Sequence, residues 1–66
     1  MMLTVNGETT STHNGQSVGD LVVELGLGGR AIAVEVNKQL VPKRQHESHT
    51  LTEGDIVEVV TLVGGG

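Results

Sequence analysis

The chain has 66 residues, a formal net charge of −4, no cysteine and no aromatic side chain. A chain this short forms one domain with a small aliphatic core, and it has no room for a large substrate cleft as well. The acidic balance and the lack of aromatic stacking platforms argue against nucleic acid as a partner, and the lack of cysteine rules out disulfides, thiolate metal sites and a cysteine nucleophile.

The sequence opens with a predicted β-hairpin. Residues 2–6 alternate apolar and polar side chains, which is the pattern of a half-buried strand. Asn6-Gly7 follows and is a strong signal for a two-residue hairpin turn, because both turn positions need a positive φ. Residues 8–12, rich in β-branched threonine, are therefore expected to pair back as the second strand.

One short amphipathic helix is predicted over residues 17–25. Ser17 suits the N-cap, and Asp20, three residues later, completes a near capping box. Gly26 ends the helix, because glycine readily takes the left-handed conformation after the last turn. The apolar side chains at helical spacing, which we expect to face the core, are Val18, Leu21, Val22 and Leu25.

A third strand and a short fourth strand follow the helix. Residues 31–37 alternate in character, and their inward side chains are expected to be Ile32, Val34 and Val36. Residues 37 and 38 turn the chain into a short strand at residues 39–41. Pro42 ends that strand, because proline lacks the N–H donor of a strand ladder.

A polar stretch at residues 43–49 separates this hairpin from the last strand and predicts a solvated loop with room for one helical turn. Residues 50–52 are expected to be extended at most, and residues 53–55 to form a turn. The apolar run at residues 56–63 is the longest predicted strand, so we expect it in the centre of the sheet.

This order of elements favours an α+β fold. The simplest compact arrangement places the long final strand parallel to the first strand, with the helix crossing one face of the sheet. The sequence therefore predicts a β-grasp, or ubiquitin-like, fold, in which a mixed sheet of roughly four or five strands packs on one α-helix. We expect the domain to span residues 1–63 and a flexible glycine tail to span residues 64–66.

Three stretches that resemble chemical motifs have simpler explanations. The glycine run at residues 26–30 follows a helix and precedes a strand, the reverse of a phosphate-binding loop, so turn chemistry explains it. His46 and His49 could share a metal ion on one helical turn, but a stable site needs a third or fourth ligand, so no metal site is predicted. The scattered carboxylates have no evident cleft for acid–base chemistry and are expected on a solvated surface.

The last strand predicts a docking surface. If Val57 and Val59 point into the core, the period of two places the alternate side chains on the open side of the sheet, near Thr4, Ala33 and Glu35. Neighbouring exposed aliphatic side chains indicate a surface for a partner, although single exposed aliphatics are ordinary. The predicted partner-binding residues are Ile56, Glu58, Val60 and Leu62.

The sequence closes with three glycines, Gly64, Gly65 and Gly66. A loose chain end is the simplest explanation. Alternatively, a strip without side chains can thread a narrow channel in a partner, so that the terminal carboxylate is the working group. Reaction of that carboxylate with ATP would give an acyl-adenylate, which sulfur or nitrogen can attack. Because the chain has no cysteine, carried sulfur would have to replace an oxygen of that carboxylate.

Three segments, MLTVNGE, VNKQLVPK and EGDIVEVVTLVGGG, together with the length of the chain, resemble the ThiS family of sulfur carriers of thiamin biosynthesis. The resemblance spans the whole chain and implies a β-grasp fold. It also implies that Gly66 is adenylated and converted to a thiocarboxylate that donates sulfur for thiazole formation, with Gly65 as its small neighbour. Gly64 is an addition to the usual pair of glycines, and the last strand lacks the aromatic side chain of some members.

The resemblance also implies partners. They are a ThiF-type, ubiquitin-activating-like adenylyltransferase, which uses ATP and magnesium, then thiazole synthase, and a sulfur donor such as a cysteine desulfurase. The carrier itself is expected to bind no cofactor and not to be an enzyme. No signal segment opens the sequence and no apolar run approaches the length of a membrane span, so we expect a cytoplasmic protein without membrane contact.

Other functions on the same fold stay open at this point. The small subunit of molybdopterin synthase, or another ubiquitin-like sulfur carrier, tends to be longer, with a more elaborate segment before the tail. A ubiquitin-like modifier would form an isopeptide bond to lysine instead of a thiocarboxylate. A passive interaction module and an enzyme with its own active site are the remaining alternatives.

Overall fold

The computed structural model describes residues 1–62. The predicted tail at residues 64–66 and the predicted domain boundary at residue 63 lie outside the described residues. Residues 1–62 contain five strands, one α-helix and one short 3₁₀ helix. Their bounds are β1 (Met2–Val5), β2 (Glu8–Ser11), α1 (Val18–Glu24), β3 (Ile32–Val36), β4 (Gln39–Val41), the 3₁₀ helix (Lys43–Gln45) and β5 (Ile56–Thr61).

Strand β5 lies at the centre of a five-stranded mixed sheet with the order β2-β1-β5-β3-β4. It runs parallel to β1 and antiparallel to β3, while β1–β2 and β3–β4 are antiparallel hairpins. The central position of the last strand and its parallel pairing with the first confirm the predicted α+β, β-grasp arrangement.

Aliphatic side chains from the helix and from one face of the sheet form a single core. Burying each of them fully contributes about 1.5–3 kcal/mol, so this cluster is the main stabilising feature of a domain without aromatic side chains. The buried members are Leu3, Val5, Val18, Leu21, Val22, Val34, Val36, Val41, Leu51, Val57 and Val59.

The helix begins and ends through local hydrogen bonds that the sequence predicted. The Ser17 hydroxyl accepts from the Asp20 backbone N–H at 3.0 Å, and the Asp20 carboxylate accepts from the Ser17 backbone N–H at 3.2 Å, which completes the capping box. Gly26 follows the last turn with a φ of 75°. Leu25, however, is wrongly predicted as a core residue: it caps the helix C-terminus and is 39% exposed, because the helical face ends one residue earlier.

Both hairpins turn through two residues with positive φ. The φ values are 51° and 84° at Asn6 and Gly7, and 51° and 70° at Asn37 and Lys38. Positive φ at both central positions matches the right-handed twist of the flanking strands, so these turns fix the register of β1–β2 and β3–β4.

The two turn asparagines also hold the central strand. The Asn6 side-chain oxygen accepts from the Val59 backbone N–H at 2.8 Å, beyond the point where β1 ends. The Asn37 side-chain oxygen accepts from the Ile56 backbone N–H at 3.0 Å, at the start of β5. Each side-chain amide therefore accepts a hydrogen bond from a backbone N–H of β5 at a position next to a turn, where the neighbouring strand no longer supplies a backbone partner.

The polar stretch between β4 and β5 is more buried than its composition predicted. His46 is only 8% exposed, and its Nε2–H donates to the Val41 carbonyl oxygen at 3.0 Å, so the prediction of a solvated loop is wrong at this residue. Leu51 is 1% exposed and belongs to the core. A backbone bridge between Ser17 and Thr50 holds this part of the chain against the start of the helix.

The glycine run after the helix forms a turn, as predicted. The Arg30 backbone N–H donates to the Leu27 carbonyl oxygen at 3.1 Å, and Gly29 has a φ of 82°, which only glycine adopts without strain. The chain then enters β3. Within residues 1–62, no helix is long and apolar enough to cross a membrane.

Candidate docking face

The open face of the sheet is the side opposite the core, and β5 runs along its middle. Val57 and Val59 point into the core, and the alternate side chains Ile56, Glu58 and Val60 are exposed, as the period of two predicted. Val60 is 56% exposed. These three of the four predicted partner-binding residues therefore lie in one row on the open face.

Leu62, the fourth predicted residue, lies just beyond the end of β5. Its backbone N–H donates to the Ala31 carbonyl oxygen at 2.9 Å, which continues the β3–β5 pairing by one step. The side chain is half exposed and lies at the end of the sheet, where Leu62 lines a cleft with Ile32 and Val22. Leu62 therefore links the row on β5 to the end of the sheet.

The predicted neighbours of this row are confirmed by the register of the strands. Ala33 on β3 lies opposite Val60, and Thr4 on β1 pairs with Ile56. The exposed row on β5 is thus flanked by the small side chain of Ala33 on one side and by the hydroxyl group of Thr4 on the other.

The sequence prediction missed two further exposed apolar side chains, Leu40 and Met2. Leu40 lies opposite Glu35 in the β3–β4 pair, and Met2 is two residues before Thr4 on β1, so both side chains lie on the open face by alternation. The signal that could have identified them is the same period of two, applied to the edge hairpin and to β1 as well as to β5.

Two carboxylates lie in the middle of this face. Glu35 and Glu58 are direct partners in the β3–β5 register, and both side chains are exposed. Like charges directly opposite each other destabilise a strand pair by a few tenths to about 1 kcal/mol. A positively charged side chain placed between them by another molecule would relieve that repulsion.

Asp55 organises the turn that leads into β5. Burial by itself raises the pKa of this carboxyl group. Hydrogen bonds from the Thr52 backbone N–H, the Asn37 amide and the Thr52 hydroxyl, together with the nearby His49 charge, outweigh burial and bring the pKa of Asp55 below its ordinary value of 3.8. The ionised carboxylate therefore fixes the start of the strand that carries the predicted partner-binding residues.

The histidines of the polar stretch do not converge on a metal site in the described part of the chain. His46 uses Nε2 to bond the Val41 carbonyl oxygen. Residues 1–62 contain no group of three or more histidine, cysteine, aspartate or glutamate residues that could hold a metal ion. The open face is the candidate functional surface of residues 1–62. The predicted reactive residues Gly65 and Gly66, with Gly64, lie outside the described residues.

Comparison with known proteins gives a consistent set of relatives. The family model described as the ThiS family matches residues 3–66. The sulfur carrier protein ThiS of Bacillus subtilis is 30% identical over 66 residues, covering 98% of this chain and 100% of that protein. A crystal structure of the thiamine biosynthesis protein ThiS from Geobacter metallireducens superposes with a TM-score of 0.85 at 29% identity, covering all of both chains.

A longer protein also matches. A thiazole synthase of Paramagnetospirillum magneticum is 38% identical over 66 residues, which is 100% of this chain. This chain spans only 20% of that protein's length.

Proposed function

This chain belongs to the ThiS family, and from that membership we propose that it carries sulfur for thiazole formation in thiamin biosynthesis. In this proposal the Gly66 carboxylate is the reactive group. A carboxylate oxygen attacks the α-phosphorus of ATP, pyrophosphate leaves, and an acyl-adenylate forms. A sulfur nucleophile at the oxidation level of sulfide then attacks the acyl carbon, AMP leaves, and the thiocarboxylate remains on Gly66.

The observation that carries the proposal is the match of the ThiS family model through the terminal glycines, residues 3–66. Relatives from Bacillus subtilis and Escherichia coli, each matched over its whole length, bear the name sulfur carrier protein ThiS, at 30% and 27% identity. Gly65 and Gly64 add no side chains next to the reactive carboxylate, so a partner's catalytic groups can approach it closely.

The proposed partners are those that the family resemblance implies. A ThiF-type adenylyltransferase, called the activating enzyme below, supplies the ATP and magnesium site. A sulfur donor such as a cysteine desulfurase supplies the sulfur as a persulfide, a thiol reductant brings that sulfur to the level of sulfide, and thiazole synthase accepts it from the thiocarboxylate. The similarity to the thiazole synthase of Paramagnetospirillum magneticum supports the last of these partners. The carrier is a substrate of these enzymes rather than an enzyme itself, and it binds no cofactor of its own.

The open face is the proposed surface through which partners hold the carrier. Ile56, Val60 and Leu62 provide apolar contact area, and they lead along the chain towards the glycines. Glu58, with Glu35 opposite it, favours a partner that presents a positive side chain at this point. Binding here would orient the reactive carboxylate in the partner's catalytic centre, which is where the rate enhancement of a group-carrier system arises.

Exchange of labelled pyrophosphate into ATP by the activating enzyme tests the adenylation step. We expect the full chain to stimulate the exchange, and a variant that lacks Gly65 and Gly66 to fold normally without stimulating it. Exchange supported by the shortened chain would contradict the assignment of Gly66. Attachment of the carrier to lysine of another protein, in place of sulfur transfer, would instead identify a modifier.

A further inference from the structure

A cleft of about 290 Å³ opens at the end of the sheet where β3 begins and β5 ends. Its apolar wall consists of Val22, Leu27, Ile32 and Leu62. The volume is at the lower limit of small-molecule sites, so the cleft has room for one or two side chains rather than for a nucleotide. Of the proposed docking residues, only Leu62 takes part in it.

The polar side of the cleft is cationic. Arg30 and Lys43 line it, which are two of the four arginine and lysine residues of the chain, and no carboxylate of residues 1–62 does so. Within residues 1–62, neither side chain takes part in a hydrogen bond. A chain with a net charge of −4 thus places two cations beside an apolar wall at the end of β5.

The buried side chain of His46 gives the cleft a fixed inner surface. It lines the cleft, and its Nε2–H donates to the Val41 carbonyl oxygen on β4. The His46 carbonyl oxygen in turn accepts from the Gly19 backbone N–H of the helix at 2.8 Å. Because these bonds hold the surface in place before binding, little conformational entropy of the cleft is lost when a partner side chain binds.

We propose that this cleft receives an acidic side chain, carried on an apolar segment, of the activating enzyme. The inference rests on the proposed function, since that function supplies the enzyme. Arg30 and Lys43 complement a carboxylate, and the aliphatic wall complements an apolar neighbour of that carboxylate. Leu62 makes the cleft continuous with the proposed docking face, so an enzyme that holds the chain at Leu62 also covers the cleft.

The two surfaces carry opposite charges, and this fixes the orientation of the carrier. The open face presents Glu35 and Glu58, with Lys38 at its edge beside Ile56 and Glu58, whereas the cleft presents Arg30 and Lys43 and no carboxylate of residues 1–62. An enzyme with a cation facing the first pair and a carboxylate facing the second can bind the carrier in one orientation only, because the reverse orientation brings like charges together.

Affinity measurements on a double variant test the cleft. Arg30→Gln with Lys43→Gln should bind the activating enzyme about tenfold more weakly at about 0.15 M salt, with a weaker dependence of the association rate on salt concentration. Lys43→Arg, which keeps the charge, should bind within about twofold of the unmodified chain. Arg44→Gln, which removes one positive charge one residue beyond the cleft lining, should also bind within about twofold.

A carbodiimide cross-link tests the contact directly, because this reagent joins an amine to a carboxylate only when the two touch. We expect an amide bond between the Lys43 amine and an aspartate or glutamate of the activating enzyme, identified in peptides by mass spectrometry. A double variant that binds as tightly as the unmodified chain, an equal loss in Arg44→Gln, or a complex without the Lys43 cross-link would overturn the inference.

Adenylation and binding, measured on the same samples of carrier and activating enzyme, distinguish failure of the cleft inference from failure of the proposed function. If the unmodified chain is adenylated but the double variant binds normally, only the cleft inference is wrong. If the unmodified chain is not adenylated at all, the proposed function fails, and the cleft inference, whose occupant is the activating enzyme, fails with it.

Discussion

Val60 lies on the open face next to Ala33, and more than half of its side chain is exposed. Val60→Asp should therefore weaken binding to the activating enzyme by about tenfold, because the new carboxylate would lose its water of hydration against an apolar surface of the enzyme. The melting temperature should change little, since the side chain contributes little to the core. Calorimetric titration with the enzyme measures the affinity.

Asn14→Asp provides the control for the added charge. Asn14 is exposed in the turn between β2 and the helix and does not line the cleft, so this change should leave the affinity unchanged. An unaltered affinity in Val60→Asp, or an equal loss in Asn14→Asp, would contradict docking through the open face.

Asp55 makes stability depend on pH at the start of β5. Its pKa is lowered in the folded chain, so its contribution to the free energy of unfolding is fully present above the ordinary value of 3.8 and is lost as the pH falls through the folded pKa. Asp55→Asn should therefore flatten the loss of stability below about pH 4. Thermal unfolding between about pH 2 and 6 measures the slope.

Glu8→Gln is the control for the loss of one charge, since Glu8 is exposed on β2 and no side-chain hydrogen bond of residues 1–62 uses its carboxylate. A slope in Asp55→Asn as steep as in the unmodified chain would show that the hydrogen bonds to Asp55 do not favour its ionised form.

At the scale of elements, the segment between the 3₁₀ helix and β5 belongs to the core although it has no regular structure. Leu51 is 1% exposed, and its backbone N–H donates to the Gln16 carbonyl oxygen at 2.8 Å, next to the helix N-cap. Leu51→Ala should reduce the free energy of unfolding by about 2–5 kcal/mol, because it leaves a cavity where the helix meets the sheet. Chemical denaturation measures the loss.

Leu40→Ala is the corresponding change on the surface. Leu40 is 64% exposed on β4, so its removal should change the free energy of unfolding by about 0.5 kcal/mol or less. Similar losses in the two variants would mean that the segment around Leu51 does not pack as described.

The elements that the sequence predicted correctly are those determined by local chemistry. The Asn6-Gly7 turn and the capping box of Ser17 and Asp20 depend on neighbours in the chain, and both have the predicted geometry. The bond between His46 and Gly19 of the helix and the bonds between Asn6 and Val59 join residues distant in sequence, so hydrophobic periodicity carried no signal for them.

At the scale of the whole molecule, the order of the strands was predictable because the longest apolar strand needs partners on both sides. Placing β5 between β1 and β3 meets that need and leaves one face of the sheet open. The pairing of Glu35 with Glu58 on that face follows from the strand register. The cationic cleft was not predictable, because only the folded chain brings together Arg30, in the turn before β3, and Lys43, at the start of the 3₁₀ helix.

The central claim concerns the chemistry of a single residue, and the intact mass of the chain tests it most directly. The protein is incubated with the activating enzyme, ATP, magnesium, a sulfur donor and a thiol reductant, and its intact mass and fragment masses are then measured. The account predicts that one oxygen is replaced by one sulfur, that the change maps to Gly66, and that it requires ATP. An unchanged mass under these conditions, or sulfur located elsewhere in the chain, would contradict the account.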